Sequence, residues 1–218
     1  GGREVVVSVR PARPSDAKLI AWCMLMAGRS HLKLGIWDFI ICQPDEICLK
    51  FLEKLTLRGP RHMCSYTEFI VAEVNGHPAA ALQGFDPVTN GYLTSTEQMN
   101  AVVNEMGLTE KDMAPGRENL VAFMTCHPDF ADGAWVVEHV ATRSEYRRNG
   151  AIEKLIEAEL DIGRTKGFKL AQVGYYIGNN PAERAYYKAG FDNPVEKRHP
   201  DFERLIGCPG MARLMRKI

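Results

Sequence analysis

The sequence contains no run of the roughly 18 or more consecutive apolar residues that a membrane-spanning helix needs. Its start, Gly1-Gly2-Arg3-Glu4, has none of the apolar core of a signal peptide, and the leading Gly1-Gly2 pair carries no structural meaning. Both absences point to a cytoplasmic location with no membrane contact. There is no excess charge of either sign. Lys+Arg and Asp+Glu each number 27, so no global field draws the chain to nucleic acid or to an anionic bilayer, and any anionic ligand must meet a local cluster. No basic tail marks nucleic-acid work, and no acidic run marks a polyamine or aminoglycoside ligand. Cysteine is present but unpatterned: Cys23, Cys42, Cys48, Cys64, Cys126 and Cys208 form no Cys-x-x-Cys pair and no disulfide or zinc spacing. Most should be reduced and buried. Cys126-His127 is the only local Cys/His pairing, and two adjacent residues are not a ligand set, so no metal is expected. Gly-x-Gly-x-x-Gly is missing too, and no early βαβ unit offers an acidic ribose partner, which disfavours a dinucleotide-binding fold. Internal repeats and low-complexity tracts are absent.

What remains is an ordinary globular composition, 45% hydrophobic over 218 residues, enough to bury a core in one domain with an insertion or in two small ones. Val5 to Val9 is β-branched and reads as a strand; Arg10-Pro11-Ala12-Arg13-Pro14 breaks it, and Ser15 or Asp16 caps a helix from Ala17 to Gly28. Pro44-Asp45-Glu46 opens a second helix with acids in its first turn, while Arg29 to Cys42 fits no clear pattern. Phe69 to Val74 and Ala79 to Phe85 flank Asn75-Gly76-His77-Pro78, a hairpin signal. Leu93 to Pro115 is polar and helical in pattern, a helical insertion at about 93–118 that lies over one face. Trp135 to Thr142, Ile152 to Lys166, Leu170 to Ile177 and Pro181 to Ala189 then read strand, helix, strand, helix, so the two strands pair in parallel. Met211 to Lys217 alternates as an edge or terminal strand. The fold class is α/β, with a central mixed, mostly antiparallel sheet and helices on both faces.

The strand-to-helix junction after Thr142 carries the chemistry. Arg143-Ser144-Glu145-Tyr146-Arg147-Arg148-Asn149-Gly150-Ala151-Ile152 points free backbone N–H groups of a helix start into one small volume, and Arg147 and Arg148 add charge beside the positive end of the helix dipole. Gly150 has no Cβ to hold a phosphate away. A pyrophosphate suits such a place. On these residues alone, Asn149-Gly150 is equally a plain turn with its arginines on a solvated rim.

Two segments decide between these readings. Arg147-Arg148-Asn149-Gly150-Ala151-Ile152 resembles the Arg/Gln-x-x-Gly-x-Gly/Ala signature of the GNAT superfamily of acyl-CoA-dependent N-acetyltransferases, departing from it at Ile152, where the family has a small residue. Asn179-Asn180-Pro181-Ala182-Glu183-Arg184-Ala185-Tyr186-Tyr187-Lys188-Ala189-Gly190-Phe191 resembles the family's Asn-x-x-Ala-x-x-x-Tyr-x-x-x-Gly-Phe. Val9-Arg10-Pro11-Ala12 through Asp16-Ala17 also looks like the family's first strand and turn. The resemblance covers nearly the whole chain except the insertion. It implies one domain over 1–218 and a sheet that splays open between its fourth and fifth strands. It implies acetyl-CoA as cofactor, with the diphosphate on Arg147, Arg148, Asn149, Gly150, Ala151 and Ile152. The pantetheine would then lie as a pseudo-strand on the main chain of Val140, Ala141 and Thr142.

Transfer to an amine needs a neutral nucleophile, a donor for the developing oxyanion and a proton for the departing thiolate. Tyr186 matches the family's tyrosine and is the candidate acid and a cofactor contact, or else a tyrosine of the sheet–helix core; Tyr187 points about 100° away. Strand alternation sends Glu138 and His139 to opposite faces. Glu138 shares a face with Val136 and Val140, where family members place a Glu or His, and is the candidate base; its other reading is an ion-paired glutamate in a half-buried sheet. His139 then reads as a core histidine. Asn179 either bridges cofactor amides, as its family counterpart does, or caps a helix, and both roles are compatible. Arg29-Ser30-His31, Trp37-Asp38 and the insertion fall where the family varies with its acceptor, although a tryptophan such as Trp37 is more often core. The expected activity is transfer of an acetyl or short acyl group to a primary amine of a small molecule or peptide, in a chain that pairs as a homodimer through its C-terminal strands. A non-catalytic, CoA-binding regulatory module would keep the anion site without needing Glu138 or Tyr186.

Overall fold

The computed structural model describes residues 4–218. The Gly1-Gly2 pair lies outside the described residues. Seven strands form one sheet in the order β1 (Val7–Pro11), β2 (Phe69–Val74), β3 (His77–Phe85), β4 (Ala134–Thr142), β5 (Leu170–Tyr176), β7 (Gly210–Lys217), β6 (Asp192–Arg198). Among the described residues β4 and β5 are the one parallel pair, joined across a face by α6 (Ala151–Thr165). The remaining neighbours are antiparallel, which makes the sheet mixed and mostly antiparallel as expected.

Two cores separate the layers. On one face α6 buries Leu155, Ile156 and Leu160 against Ala72, Leu82 and Val173, and α7 (Asn180–Lys188) follows β5 on the same side. On the other, α1 (Ala17–Arg29) and α3 (Asp45–Leu57) bury Ile20, Met24, Phe51, Leu52 and Leu55 over Phe69 and Val71, with α4 (Thr96–Glu105) against them. A third cluster joins α2 (Ile36–Ile41), α5 (Glu110–Met124) and α8 (Pro200–Ile206) through Phe123, Tyr176 and Phe202. Among the described residues no helix is long and apolar enough to cross a membrane. All six cysteines are free, and five are buried.

Several boundaries differ from the sequence reading for identifiable reasons. The hairpin turn is only Asn75 and Gly76, with φ 49° and 82°, the left-handed pair that a two-residue turn needs; His77 and Pro78 already belong to β3. β1 runs through Arg10 and Pro11, which an edge strand tolerates. Asp16 stands before α1 without capping it. Its carboxylate is spent on Arg10 Nη1 and Nη2, 2.8 and 3.0 Å away, and on the Arg13 N–H at 2.7 Å. Pro115 does not end the inserted helix: α5 continues nine residues to Met124. Thr109 and Asp112 cap its start reciprocally, and Gly116 lies so close to α2 that a Cβ there would meet the Ile40 carbonyl oxygen at 2.1 Å. Tertiary contact outweighs one lost helical hydrogen bond. The tail strand β7 is interior, because β6 and α8, unassigned in the sequence reading, fold the chain back outside it. Asp192-Asn193-Pro194 resembles a turn, and all but one residue of β6 are exposed, so no alternation marks it.

Glu159 is a charge set into the α6 core, 2% exposed, with Oε1 accepting from Trp135 Nε1 at 3.1 Å. Burial lifts its carboxyl to about 7; the Trp135 bond opposes the shift, the charge of Glu68 adds to it and Lys166 opposes it. Between the ordinary carboxyl range and about 7 the folded chain holds a proton that the unfolded chain has released, so this group's contribution to stability is lost as pH rises through that window. Glu159→Gln is therefore expected to match the parent at pH 5 and to exceed it at pH 8 by about 1–3 kcal/mol in urea denaturation. Parallel stability curves over that range would refute the assignment.

Candidate active site

β4 and β5 pair over four residues each, Ala134 to Val137 with Leu170 to Val173. β4 then runs on to Thr142 with β3 as its sheet neighbour and no partner on the other side. A cleft of about 1390 Å³ opens there. Among the described residues, the main-chain groups of Val140, Ala141 and Thr142 that face away from β3 have no strand to bond, and the buried Thr142 hydroxyl has no partner either.

A bulge accompanies the split. His139 has φ 55°, and the register passes from Gln83↔Glu138 to Ala81↔Ala141, one residue longer on β4 than on β3. An extra residue reverses the alternation. Glu138 and His139 therefore both face the cleft rather than opposite sides, and Val140 joins Trp135 and Val137 in the α6 core instead of sharing a face with Glu138.

Beyond Thr142 a 3-10 turn (Ser144–Tyr146) leads to Arg147, and the chain enters α6 through Arg148 and Gly150 at φ 67° and 78°. The Asn149 side chain closes the turn by donating to the Tyr146 carbonyl at 3.0 Å. Six successive amides, Arg148 to Glu153, have no acceptor among the described residues. Arg147 and Arg148 are exposed beside them and, among the described residues, have no carboxylate partner. The glycine is required by backbone angle more than by space, since a Cβ on Gly150 would come no closer than 3.9 Å to Glu153 Oε2. Ile152, the departure from the family signature, packs partly into the α6 core and leaves its N–H free.

The titratable groups sort into two networks. Tyr92, in a 3-10 turn (Tyr92–Ser95) before α4, donates its phenol to Glu138 Oε1, and its oxygen lies 2.8 Å from His127 Nε2. Burial raises the Glu138 carboxyl to about 7, against the lowering effect of the Tyr92 bond. His139 is fully engaged elsewhere: Gln83 donates its amide to the Met63 carbonyl, so its Oε1 accepts from His139 Nδ1 at 2.7 Å, and His139 Nε2 accepts from Trp37 Nε1 at 3.2 Å. Burial pulls both His139 and His127 down to about 4. Tyr186 packs its ring 6.3 Å from Tyr175 and 6.2 Å from Phe191 and lines the cleft as well. Burial first, and then the charge of Glu138, pushes its phenol up to about 12. Asn179 caps α7 through Oδ1, which accepts from the Ala182 N–H at 3.2 Å, and commits its Nδ2 to Ser30 Oγ.

Of the residues singled out for the acceptor side, Arg29 is paired to Asp38 and Asp45 at 2.8 and 2.7 Å, and Asp38 also receives the Gly35 N–H. Trp37 is buried between the α1 core and His139. These hold the wall more than they face a ligand. Sequence reasoning missed Gln83, Tyr92 and His127. Tyr92 falls one residue before the recognised insertion, and His127 had been weighed only as half of a Cys/His pair; no local spacing links either to Glu138.

Residues 92–191 match the model of the acetyltransferase (GNAT) family. No curated protein matches the chain. Solved structures reproduce the fold: an acetyltransferase at 17% identity (TM-score 0.70, covering 97% of this chain and 99% of the other) and an N-acetyltransferase from Staphylococcus aureus Mu50 at 19% (TM-score 0.67, 95% and 99%). An agmatine N-acetyltransferase is similar at 13% identity (TM-score 0.52, 97% and 99%). Residues 92–191 thus match a GNAT acetyltransferase domain and the chain has the fold of solved acetyltransferases, which together support a place in the GNAT superfamily of acyl-CoA-dependent acyltransferases, with acetyl-CoA as donor. The unpaired amides and the open β4 edge suit such a donor's diphosphate and extended amide arm.

An NMR titration of the imidazoles is expected to find His127 and His139 neutral until pH falls to about 4. Either ring protonating near the free-imidazole value of about 6.5 would mean that water reaches it.

Proposed function

We propose that this chain transfers an acetyl or other short acyl group to a primary amine of a small molecule or peptide by direct attack in a ternary complex, with Glu138 as base and Tyr186 as acid. The observation that carries the reading is a single carboxyl, raised to about 7, at the point where β4 leaves β5. A base with that value is about half ionised at neutral pH and still able to hold a proton, the range in which general-base catalysis is most effective. His139 cannot take this role, because both ring nitrogens are already bonded.

Acetyl-CoA supplies the activated thioester. Amides Arg148 to Glu153, with Arg147 and Arg148, would hold its diphosphate, and the free edge of Val140, Ala141 and Thr142 would align its amide arm. Glu138 draws the proton from the incoming ammonium. Tyr186, protonated across the working pH range, returns one to the departing sulfur. Asn179 fixes the start of α7 and with it the placement of Tyr186. We read the whole of 1–218 as one catalytic unit, with Tyr92, the residue just before the helical segment at 93–118, closing the acceptor side. A homodimer belongs to the same proposal; since β7 is interior, the free edge available for it is that of β6.

Release of free thiol from acetyl-CoA in the presence of an amine panel tests the reading. Glu138→Gln and Tyr186→Phe are each expected to lower kcat by about 10²–10⁴-fold, with coenzyme A affinity by calorimetry unchanged. Tight coenzyme A binding without turnover by the parent protein would instead favour a non-catalytic module. In the pH profile, kcat/KM should rise with pH to a plateau with a midpoint near 7, since the ionised carboxylate is the active form. Tyr92→Phe removes a bond that favours that ionised form, so its midpoint should move to higher pH. A midpoint unmoved or lowered by Tyr92→Phe would remove Glu138 as the titrating group.

A further inference from the structure

On the side of Glu138 away from the amide loop, the cleft is lined by apolar groups. Met63, Tyr92, Phe130 and Val136 pack there as one cluster around Phe85. Tyr92 lies with its ring centroid 5.7 Å from that of Phe130 and 5.2 Å from that of His127, while Phe123 approaches His127 at 6.1 Å. The lip continues this character into solvent: Val88 and Leu93 are 86% and 88% exposed, and both line the cleft with Leu120 and Met124 of α5. Exposed apolar side chains gathered at a cleft mouth mark a binding surface more than a chance distribution.

Charge is scarce in the same region. The carboxylates of the lining are Glu138 and Glu153, and Glu153 belongs to the amide loop. Among the cations, Arg147 and Arg148 belong to that loop, Arg29 is spent on Asp38 and Asp45, and Lys33 remains exposed on the α1–α2 connection. His127 and His139 contribute no positive charge at neutral pH. One ammonium therefore finds one carboxylate. A second ammonium a few bonds away would be set against Met63, Phe130 or Met124 and would lose hydration with nothing in return.

We propose that the acceptor is a hydrophobic monoamine: one primary amine on an aromatic or branched aliphatic body, without a second charge. This rests on the transferase reading above and narrows its substrate class. The amine meets Glu138, the body fills the space among Tyr92, Phe130 and Phe123, and Leu93 and Val88 cover its outer end.

The test compares kcat/KM for phenethylamine, putrescine and phenylalanine with acetyl-CoA as donor, read by free-thiol release. Phenethylamine is expected to exceed putrescine by about 100-fold, since a buried unpaired charge is the costliest mismatch a pocket can impose. It should exceed phenylalanine by at least about tenfold, the carboxylate of which Lys33 alone can meet. Leu93→Glu, at a position with little interior contact to lose, should cut phenethylamine turnover about tenfold and narrow its lead over putrescine, with melting temperature and coenzyme A affinity unchanged. Putrescine used as well as phenethylamine, phenylalanine preferred to both, or a ratio indifferent to Leu93→Glu would each overturn the acceptor class. If putrescine turnover still requires Glu138, the transferase reading survives that result. Absence of turnover with all three amines would overturn the acceptor class, and absence with the wider panel of small-molecule and peptide amines as well, in a protein that binds coenzyme A, would overturn the transferase reading.

Discussion

From Glu138 to Thr142 one strand of a seven-stranded sheet has a neighbour on one side only, and the rest of the architecture is arranged around that gap. Main-chain N–H and C=O groups inside a protein cost on the order of 1–3 kcal/mol each when left unbonded, so a strand normally keeps its partners. Here β5 departs after Val173 because it is pinned on its other side, where it pairs with β7 along its whole length from Leu170 to Tyr176. β4 in turn is pinned to β3. Two well-made sheet halves thus diverge from a four-residue seam, and what they leave between them is a polar edge that another extended molecule can complete.

The bulge at His139 gives the gap its chemistry. By adding one residue to β4 it aims two successive ionisable side chains into the same cleft, and the surroundings then treat them oppositely. His139 receives a full set of partners, Gln83 on one nitrogen and Trp37 on the other, which hold it neutral and fixed. Glu138 receives Tyr92 on one oxygen, while its other oxygen accepts no hydrogen bond among the described residues and lies 4.0 Å from His139 Nδ1. A neutral, doubly bonded imidazole is scaffolding; a carboxylate with one free oxygen and a raised proton affinity is a group that can act. The positive φ at His139, a strained angle for a residue with a side chain, is the local cost of presenting Glu138 this way.

How much of this can be read from residues alone depends on the range of the interactions. The parallel strand pair, its crossover helix and the hairpin at Asn75-Gly76 follow from local periodicity and turn chemistry, and the junction at Arg147 to Ile152 announces itself because a helix start and two arginines are adjacent in the chain. The bulge does not, since Glu138-His139-Val140 has the same alternating texture with or without an extra residue; only pairing with Ala81 and Gln83 reveals it. Tyr92 reaches Glu138 across 46 residues and Gln83 reaches His139 across 56. Pro115 misleads for the same reason. Its local effect is to break a helix, and the close packing of Gly116 on Ile40, with Asn119 bonded to the Phe39 carbonyl at 2.8 Å, overrides it.

A chain of zero formal net charge must make its electrostatics locally, and it does so by separating two environments along β4. At the C-terminal end, exposed arginines and unbonded amides gather positive potential where the strand gives way to α6, a place open to water and suited to a multiply charged group. Toward the N-terminal end, the same strand carries Glu138 into a pocket of Met, Phe and Tyr side chains, where a single negative charge is weakly screened and correspondingly strong. Were the two exchanged, the arginines would lose their hydration in the pocket, and the carboxylate, exposed beside the loop, would repel the diphosphate that the proposed function brings there. In the proposed function, the order of these environments along one strand, cationic end outward and carboxylate inward, is what would set which end of a donor meets the loop and which end lies beside Glu138.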